Sequence, residues 1–483
     1  MAEAPGAPSV RVHGGAAGTT VQLSAVEDAA RVLALEATAL GAVCVRLTTV
    51  AVDPCLVASG ALAPVSAARA QAALALARGP VGAGGQAAAL LGLSAGAAGA
   101  VEAYRATERA VAASVEVAQD VAFVALARAA PELAVGVLAL HAAGVDVAGA
   151  ADEAVFDVPG VADLAGGVDG LVELAPTLPP LARWLPTADR PAGDYEAALR
   201  VIAETAAAAG LLRETGGAVV TREAYPRPGA LAPHDLASLA DDLGNLSDGE
   251  RYPGHVRVVE VPQPDGSSAW LVEVSGTQEW GGEAGDNPFD ATSDVRLMAG
   301  QSTALAQGVT AALDEAMAEA GRDTSGEPVL LAGHSLGGIV AAGLASSPRF
   351  RASHHVTHVV TMGSPIGRMP VPADVSVLSL EHVQDAVPRL EGQANPDRRG
   401  WVTVTRDLRG GPVHTASGAH ATREYVRTAA LVDSATDLST VAWREGSREF
   451  LVPREGTAPI VRDYRVARVL GVPGVPGVPE AGR

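Results

Sequence analysis

Between Glu327 and Ser347 the chain reads EPVLLAGHSLGGIVAAGLASS, an apolar run that passes at once through a Gly-x-Ser-x-Gly turn into a helix-like segment. Val329, Leu330 and Leu331 have the pattern of a buried strand, and from Leu336 onward the apolar residues recur at helical spacing. A strand that turns directly into a helix leaves no room for side chains beside its middle residue. Glycine is therefore required at Gly333 and Gly337, and Ser335 between them is pushed into strained backbone geometry. The same turn lifts the Ser335 oxygen to the C-terminal edge of a parallel sheet and aims the Leu336 N–H, at a helix N-terminus, toward it. With His334, these residues make up an expected nucleophile elbow.

A second pentapeptide, Gly92 to Gly96 in GQAAALLGLSAGAAGAVEAY, satisfies the same pattern around Ser94. Chance alone supplies roughly 0.3 such matches in a chain of this composition, so context has to separate the two. Ala- and Leu-rich helical sequence flanks Ser94 on both sides and no strand leads into it. Ser94 is expected in a loop between helices, without chemistry.

The alternation of segment types around Ser335 sets the fold. HVRVVEV and SAWLVEV flank QPDGS as a hairpin; after them come the helix QSTALAQGVTAALDEAMAEAG, the strand PVLLAG, the helix GGIVAAGLASS, the strands HVTHVVTMG, VSVLSLEH and WVTVTRDL, and the helix HATREYVRTAALVD. Such alternation implies an α/β sandwich with a largely parallel sheet and helices on both faces. Upstream, from Leu23 to about Arg128, apolar residues recur at three and four spacings with breaks at Asp53-Pro54 and Gly79-Pro80, which implies an all-α hairpin or bundle. The expected organisation is a helical domain over 1–148, a connecting segment over 149–217, an α/β catalytic domain over 218–456 and a flexible tail over 457–483, where VLGVPGVPGVPEAGR repeats Gly-Val-Pro.

Charge excludes one class of partner. The net charge of −20 argues against a nucleic-acid-binding surface, because phosphate binding needs clustered cations; all 35 cationic residues are arginine, which carries little mechanism. MAEAPGAPSVRVHGG lacks the basic, apolar, small-residue order of a signal peptide. The apolar window Val121 to Val147, interrupted by Arg128, Pro131 and Glu132, reads as a buried or interfacial helix pair rather than a membrane span. A soluble chain is expected. On one helix, eleven residues would hold Cys44 and Cys55 roughly 16 Å apart; Asp53-Pro54 ends that helix first and leaves a bridge conceivable, but the two are expected to stay unpaired.

A serine nucleophile needs a base and an orienting acid, later in the chain and at the C-terminal ends of the strands. Asp374 precedes its strand and sits at the wrong end, whereas Asp385 in EHVQDAVPRL follows it. His354, His355 and His358 lie before or within their strand, and His382 reads as a strand-end residue without a catalytic role. His414 and His420 both follow WVTVTRDL. His420 is preferred because a helix beginning there anchors its backbone. A second oxyanion donor should come from the loop after an earlier strand, and the Thr277 N–H in SGTQEWGG fills that place with its hydroxyl assisting.

At these residues the chain resembles class 3 lipases: VEVSGTQEW is similar to their oxyanion segment, GHSLGG to their elbow, TMGSP to the turn after the next strand, EHVQDAVPRL to their acid loop, and AHATREY to the histidine ahead of a helix. The resemblance covers about Val256 to Val432. It implies an α/β-hydrolase fold and carboxylic ester hydrolysis, lipid or acylglycerol esters included, through an acyl-enzyme on Ser335, Asp385 and His420. No metal or organic cofactor is required. Two departures stand out: Ser275 occupies the position of an arginine, and the polar GGEAGDNPFDATSDVRLMAG replaces an apolar lid, which argues against insoluble fat droplets. The N-terminal hairpin, with Tyr104 to Glu108 as a Tyr-x-x-x-Glu, resembles substrates of type VII secretion, although GPVGAGG stands where their Trp-x-Gly turn would be. That resemblance implies export without a cleaved signal peptide, with secretion machinery as partner; a helical dimer and a cytoplasmic location are the alternative. Two other readings of the catalytic part stay open: amidase or thioesterase chemistry on the same residues, and a non-catalytic interaction protein that retains the fold.

Overall fold

The computed structural model describes residues 10–142, 146–167, 194–214, 217–224, 232–321, 324–451 and 458–469. The chain divides into two compact units, Thr19–Ser114 and a larger one formed by the residues before and after it.

In chain order the elements are β1 (Val10–Gly14), α1 (Thr19–Ala51), α2 (Pro54–Leu62), α3 (Pro64–Arg78), α4 (Ala83–Ala142), α5 (Val147–Asp157) and a 3₁₀ turn at Pro159–Gly167. They continue with α6 (Tyr195–Ala208), β2 (Ala218–Arg222), α7 (Leu236–Leu246), β3 (His255–Pro262), β4 (Ser268–Val274), α8 (Ala291–Met298) and α9 (Ala304–Glu319). The remainder comprises β5 (Pro328–His334), α10 (Leu336–Ser346), α11 (Pro348–Arg351), β6 (His355–Met362), β7 (Ser376–His382), β8 (Trp401–Arg406), α12 (Ala416–His420), α13 (Thr422–Ser434), α14 (Leu438–Gly446), α15 (Arg448–Leu451) and β9 (Ile460–Arg468).

Within the larger unit the strands form one sheet in the order β1-β8-β7-β6-β5-β4-β3-β9-β2. β4 to β8 run parallel, while β1, β3, β9 and β2 are attached antiparallel. Both faces are covered, so strand residues alternate between two cores. Trp270, Val272, Val329 and Leu331 pack with Leu305, Val309 and Val340 of α9 and α10. Leu271, Leu330, Ala332 and Leu378 pack with Leu239, Leu243, Tyr425 and Val432 of α7 and α13. This is an α/β-hydrolase fold, as the alternation implied.

Three expectations change. The tail reading fails over Ile460–Arg468, which is β9, paired on one side with β3 and on the other with β2. The Gly-Val-Pro repeat that suggested a tail lies beyond it, and 470–483 fall outside the described residues. Val10–Gly14 belongs to the sheet through β8, not to the helical domain assigned to 1–148. Ser94 lies within α4 rather than in a loop, and a Cβ at Gly92 or Gly96 would meet nothing within 4 Å. Glycine in a helix costs about 1 kcal/mol, too little to interrupt so long an alanine-rich run. The side chains of the apolar window Val121–Val147 and residues 168–193 of the connecting segment lie outside the described residues.

In the smaller unit, α1 is antiparallel to a second leg made of α3 and the start of α4. Gln71 Nε2 donates to Ala51 O over 2.7 Å, Cys44 Sγ contacts Arg78 O at 3.6 Å, and Arg105 pairs with Glu27, its Nη2 reaching Oε2 at 3.1 Å. Asp53 caps α2 by accepting the Cys55 N–H over 2.8 Å. Cys44 and Cys55 are both free. By length and composition alone, Thr19–Ala51 and the stretch Pro64–Gln119 are apolar enough to cross a membrane.

Candidate active site

β5 ends at His334, and the next residue, Ser335, has φ 53°, a left-handed conformation that a side chain rarely adopts. The turn is forced by contact. A Cβ on Gly333 would lie 2.0 Å from the Gly337 carbonyl carbon, and one on Gly337 would lie 1.9 Å from Val274 O. Two hydrogen bonds hold the turn to the next strand: Ser335 N–H donates to Met362 O over 2.9 Å, and Ser364 Oγ donates to Ser335 O over 2.9 Å. Ser364 belongs to the TMGSP segment singled out in the sequence. Ser335 itself is 4% exposed and N-caps α10, whose first N–H groups have no acceptor within the helix.

Asp385 follows β7 and lies fully buried. Its Oδ1 accepts the Val387 N–H over 2.9 Å, and its Oδ2 accepts the Tyr425 hydroxyl over 2.6 Å and His420 Nδ1 over 2.8 Å. Burial favours the neutral acid, but the His420 charge and these three hydrogen bonds hold Asp385 below the usual carboxylate range. A carboxylate can only accept, so Nδ1 of His420 carries the proton and Nε2 is left basic. Gly363, φ 62°, forms the floor of this arrangement; a Cβ there would sit 2.9 Å from Asp385 Oδ2 and 3.0 Å from His420 Nδ1.

Neighbouring histidines fix the His420 backbone. His334 Nε2 contacts His420 O at 2.9 Å, and the two rings lie 4.6 Å apart. Burial, then the His420 charge, push His334 down to about 3, so it stays neutral and its Nε2–H donates to that carbonyl. His382 Nδ1 contacts Ala419 O at 2.7 Å, and its ring stacks on Tyr425 at 4.0 Å. Burial pushes His382 down to about 4. Through its contact with Ala419 it holds the residue next to His420.

The other candidates are placed apart. His414 is exposed and packs edge-on against Phe156. Asp374 pairs with Arg351 ahead of β7. His354 pairs with Asp314 ahead of β6. His420 closes the short helix α12 instead of opening a long one, and α13 begins at Thr422 after Ala421.

Thr277 lies in the loop after β4, where a Cβ on the adjacent Gly276 would meet Ser335 Cβ at 3.1 Å. Its hydroxyl donates to Asp294 Oδ2 over 2.8 Å. Burial pushes Asp294 up to about 7 against the lowering effect of that hydrogen bond, with the Asp290 charge adding to the rise. Gln278 braces the same loop: its Oε1 accepts from Gly254 N–H and Asn287 Nδ2, each over 2.9 Å. Asp290 is in turn held by Arg468 of β9 at 2.7 Å.

Sequence reasoning passed over Tyr425, Asp294 and Asp152. Tyr425 stands five residues after His420, one turn into the helix that follows, which is the only local signal it gives. Asp152 of α5 accepts the Ser417 N–H over 2.8 Å and so satisfies, from a segment far away in the chain, a first-turn donor of α12, whose cap is Thr415. A cavity of about 640 Å³ is lined by Tyr195, Leu297, Met298, Leu344, Arg368 and Met369; Ser335, Asp385 and His420 do not line it. Among the described residues no group of three or more His, Cys, Asp or Glu side chains is placed to hold a metal ion.

Residues 291–456, about a third of the chain, match the family model described as PGAP1-like alpha/beta domain. The matched range contains Ser335, Asp385 and His420 but not Thr277. No curated protein and no solved structure matches the chain. The sheet, the elbow and this match together identify the segment 291–456 as an α/β domain of hydrolase type.

Proposed function

We propose that the protein is a serine hydrolase of carboxylic esters. The observation that carries this reading is the buried Asp385, bonded at 2.8 Å to His420 and at 2.6 Å to Tyr425, with the His420 ring 4.6 Å from that of His334, the residue before a serine in left-handed backbone geometry. His420 Nε2 removes the proton of Ser335 Oγ as that oxygen bonds to the ester carbonyl carbon. The N–H groups of Leu336 and Thr277 stabilise the oxyanion, each donor being worth about 3 kcal/mol. Collapse expels the alcohol, which takes the proton from His420. A water deprotonated by His420 then attacks the acyl-enzyme and releases the acid. Asp385 stays ionised throughout and holds the imidazole in the required tautomer.

Lipid or acylglycerol esters are the substrate class that the lipase-like motifs favour. Trp280, three residues beyond Thr277, is 72% exposed and offers an apolar surface beside the oxyanion loop. The polar segment after it favours dispersed or bilayer-held esters over fat droplets.

Labelling of the purified chain by a fluorophosphonate probe tests the reading. Wild type and Ser94→Ala are expected to label equally, and Ser335→Ala not at all. Equal loss in both variants, or an unlabelled wild type, would overturn the assignment.

A further inference from the structure

The helical hairpin of Thr19–Ser114 has no apolar stripe. Val26, Val32, Leu35, Val43, Val45 and Val50 of α1 are all exposed. At 100° per residue they fall at roughly 0, 240, 180, 260, 100 and 240° round the axis, which leaves no arc wider than about 100° without one. A helix that docks on one partner needs a stripe; one that is apolar all round belongs in a protein core or in lipid. These helices are not in a core. The most apolar windows of Thr19–Ala51 and Pro64–Gln119 are only 6% and 11% buried.

Charge is instead segregated along the hairpin. Glu27 and Arg105 join the legs at one end, with Asp28, Arg31, Glu102, Glu108 and Arg109 close to them in the two helices and Glu36 about 14 Å farther along α1. Toward the other end, from Val43 to Val101, only Arg46, Asp53, Arg69 and Arg78 are charged. Asp53 is occupied as the cap of α2. The long side chains of Arg46, Arg69 and Arg78 can carry their guanidinium groups toward water while their stems stay in apolar surroundings. The uncharged helical run Ala83–Val101 extends roughly 28 Å at 1.5 Å per residue, close to the hydrocarbon thickness of a bilayer. At the tip, Leu62 is 91% exposed and Val52, Val57 and Val65 are exposed beside it.

We infer that the hairpin inserts its α2–α3 tip into a lipid bilayer, with the Glu27–Arg105 end left in water, and thereby brings the hydrolase fold to a lipid surface. Because the apolar residues at the tip far outnumber its four charged ones, insertion is driven by apolar burial and does not depend on anionic lipid or on salt.

Flotation of the full chain with neutral phosphatidylcholine vesicles tests this inference. Wild type is expected to float with the vesicles at both 0.1 and 1 M salt, concentrations of roughly 10 and 3 Å screening length. Leu62→Glu combined with Val57→Glu is expected to reduce the bound fraction at least tenfold. Both side chains are exposed, so the substitutions remove no packing contact. Val111→Glu, 53% exposed and beyond the Glu27–Arg105 pair, is expected to leave binding unchanged. Folding of each variant is checked by circular dichroism. Failure of the wild type to float, equal loss with Val111→Glu, or vesicle-free dimerisation that only the tip variant abolishes would each overturn the inference, the last in favour of a second copy. Because the readout is flotation, the result is independent of whether Ser335 reacts.

Discussion

Replacing Tyr425 by Phe removes one hydrogen bond and leaves the ring in its packing against α7 and the sheet. The bond is short, 2.6 Å, and both partners are fully buried. A hydrogen bond to a charged group contributes about 1.5–3 kcal/mol, and one to a neutral group about 0.5–1.5. Losing the stronger bond to the charged form raises the Asp385 pKa from its depressed folded value. The sign follows from linkage. A carboxyl depressed in the folded state contributes stability that is present above its unfolded pKa of about 3.9 and is lost as pH falls through the folded value. Tyr425→Phe should therefore cost about 1.5–3 kcal/mol at pH 7, shrinking to about half as Asp385 becomes protonated in acid. Urea titrations of the full chain, followed by the fluorescence of buried Trp270 and Trp401, measure both. Fluorophosphonate labelling at pH 7 should be nearly unchanged, because Asp385 remains ionised there. A deficit equal at pH 7 and in acid, or below about 0.5 kcal/mol, would refute the view that Tyr425 holds a carboxylate.

Two further substitutions probe the loops around the site. Asp294, pushed up to about 7, keeps its proton on folding between roughly pH 4 and 7 while the unfolded chain loses it, so folding stability falls as pH rises through that window. Asp294→Asn should flatten this dependence and be more stable relative to wild type at pH 8 than at pH 4, as read by thermal melts; a parallel dependence in both proteins would contradict it. Asp152→Ala removes the acceptor of the Ser417 N–H in the first turn of α12 while leaving the Thr415 cap in place, a loss of about 1 kcal/mol. If that loss appears in the positioning of His420, labelling of Ser335 should slow about fivefold. An unchanged rate would show that His334 and His382 hold the loop without α5.

Local rules carried much of the fold. The elbow was legible because Gly333, Ser335 and Gly337 are required by contacts within a few residues, and the breaks at Asp53-Pro54 and Gly79-Pro80 were legible because proline and glycine act on their own backbone. Sheet polarity then placed Asp385 ahead of Asp374. Ser94 misled because the pattern names a turn, whereas the free energy of a long alanine-rich helix overrides two glycines.

What the sequence by itself determined was therefore the alternation of strands and helices, the strained serine and the side of the sheet on which its partners had to lie. Only the tertiary structure decided which elements meet. β1 and β9 are strands because β8, β3 and β2 supply hydrogen-bond partners hundreds of residues away. His420 rather than His414 faces Asp385 because His334, His382 and Asp152 hold its loop from three separate elements. Tyr425 and Asp294 acquire their roles only once burial removes water from them. Backbone preference is a property of neighbours in sequence, whereas pairing, burial and the resulting proton affinities belong to neighbours in space.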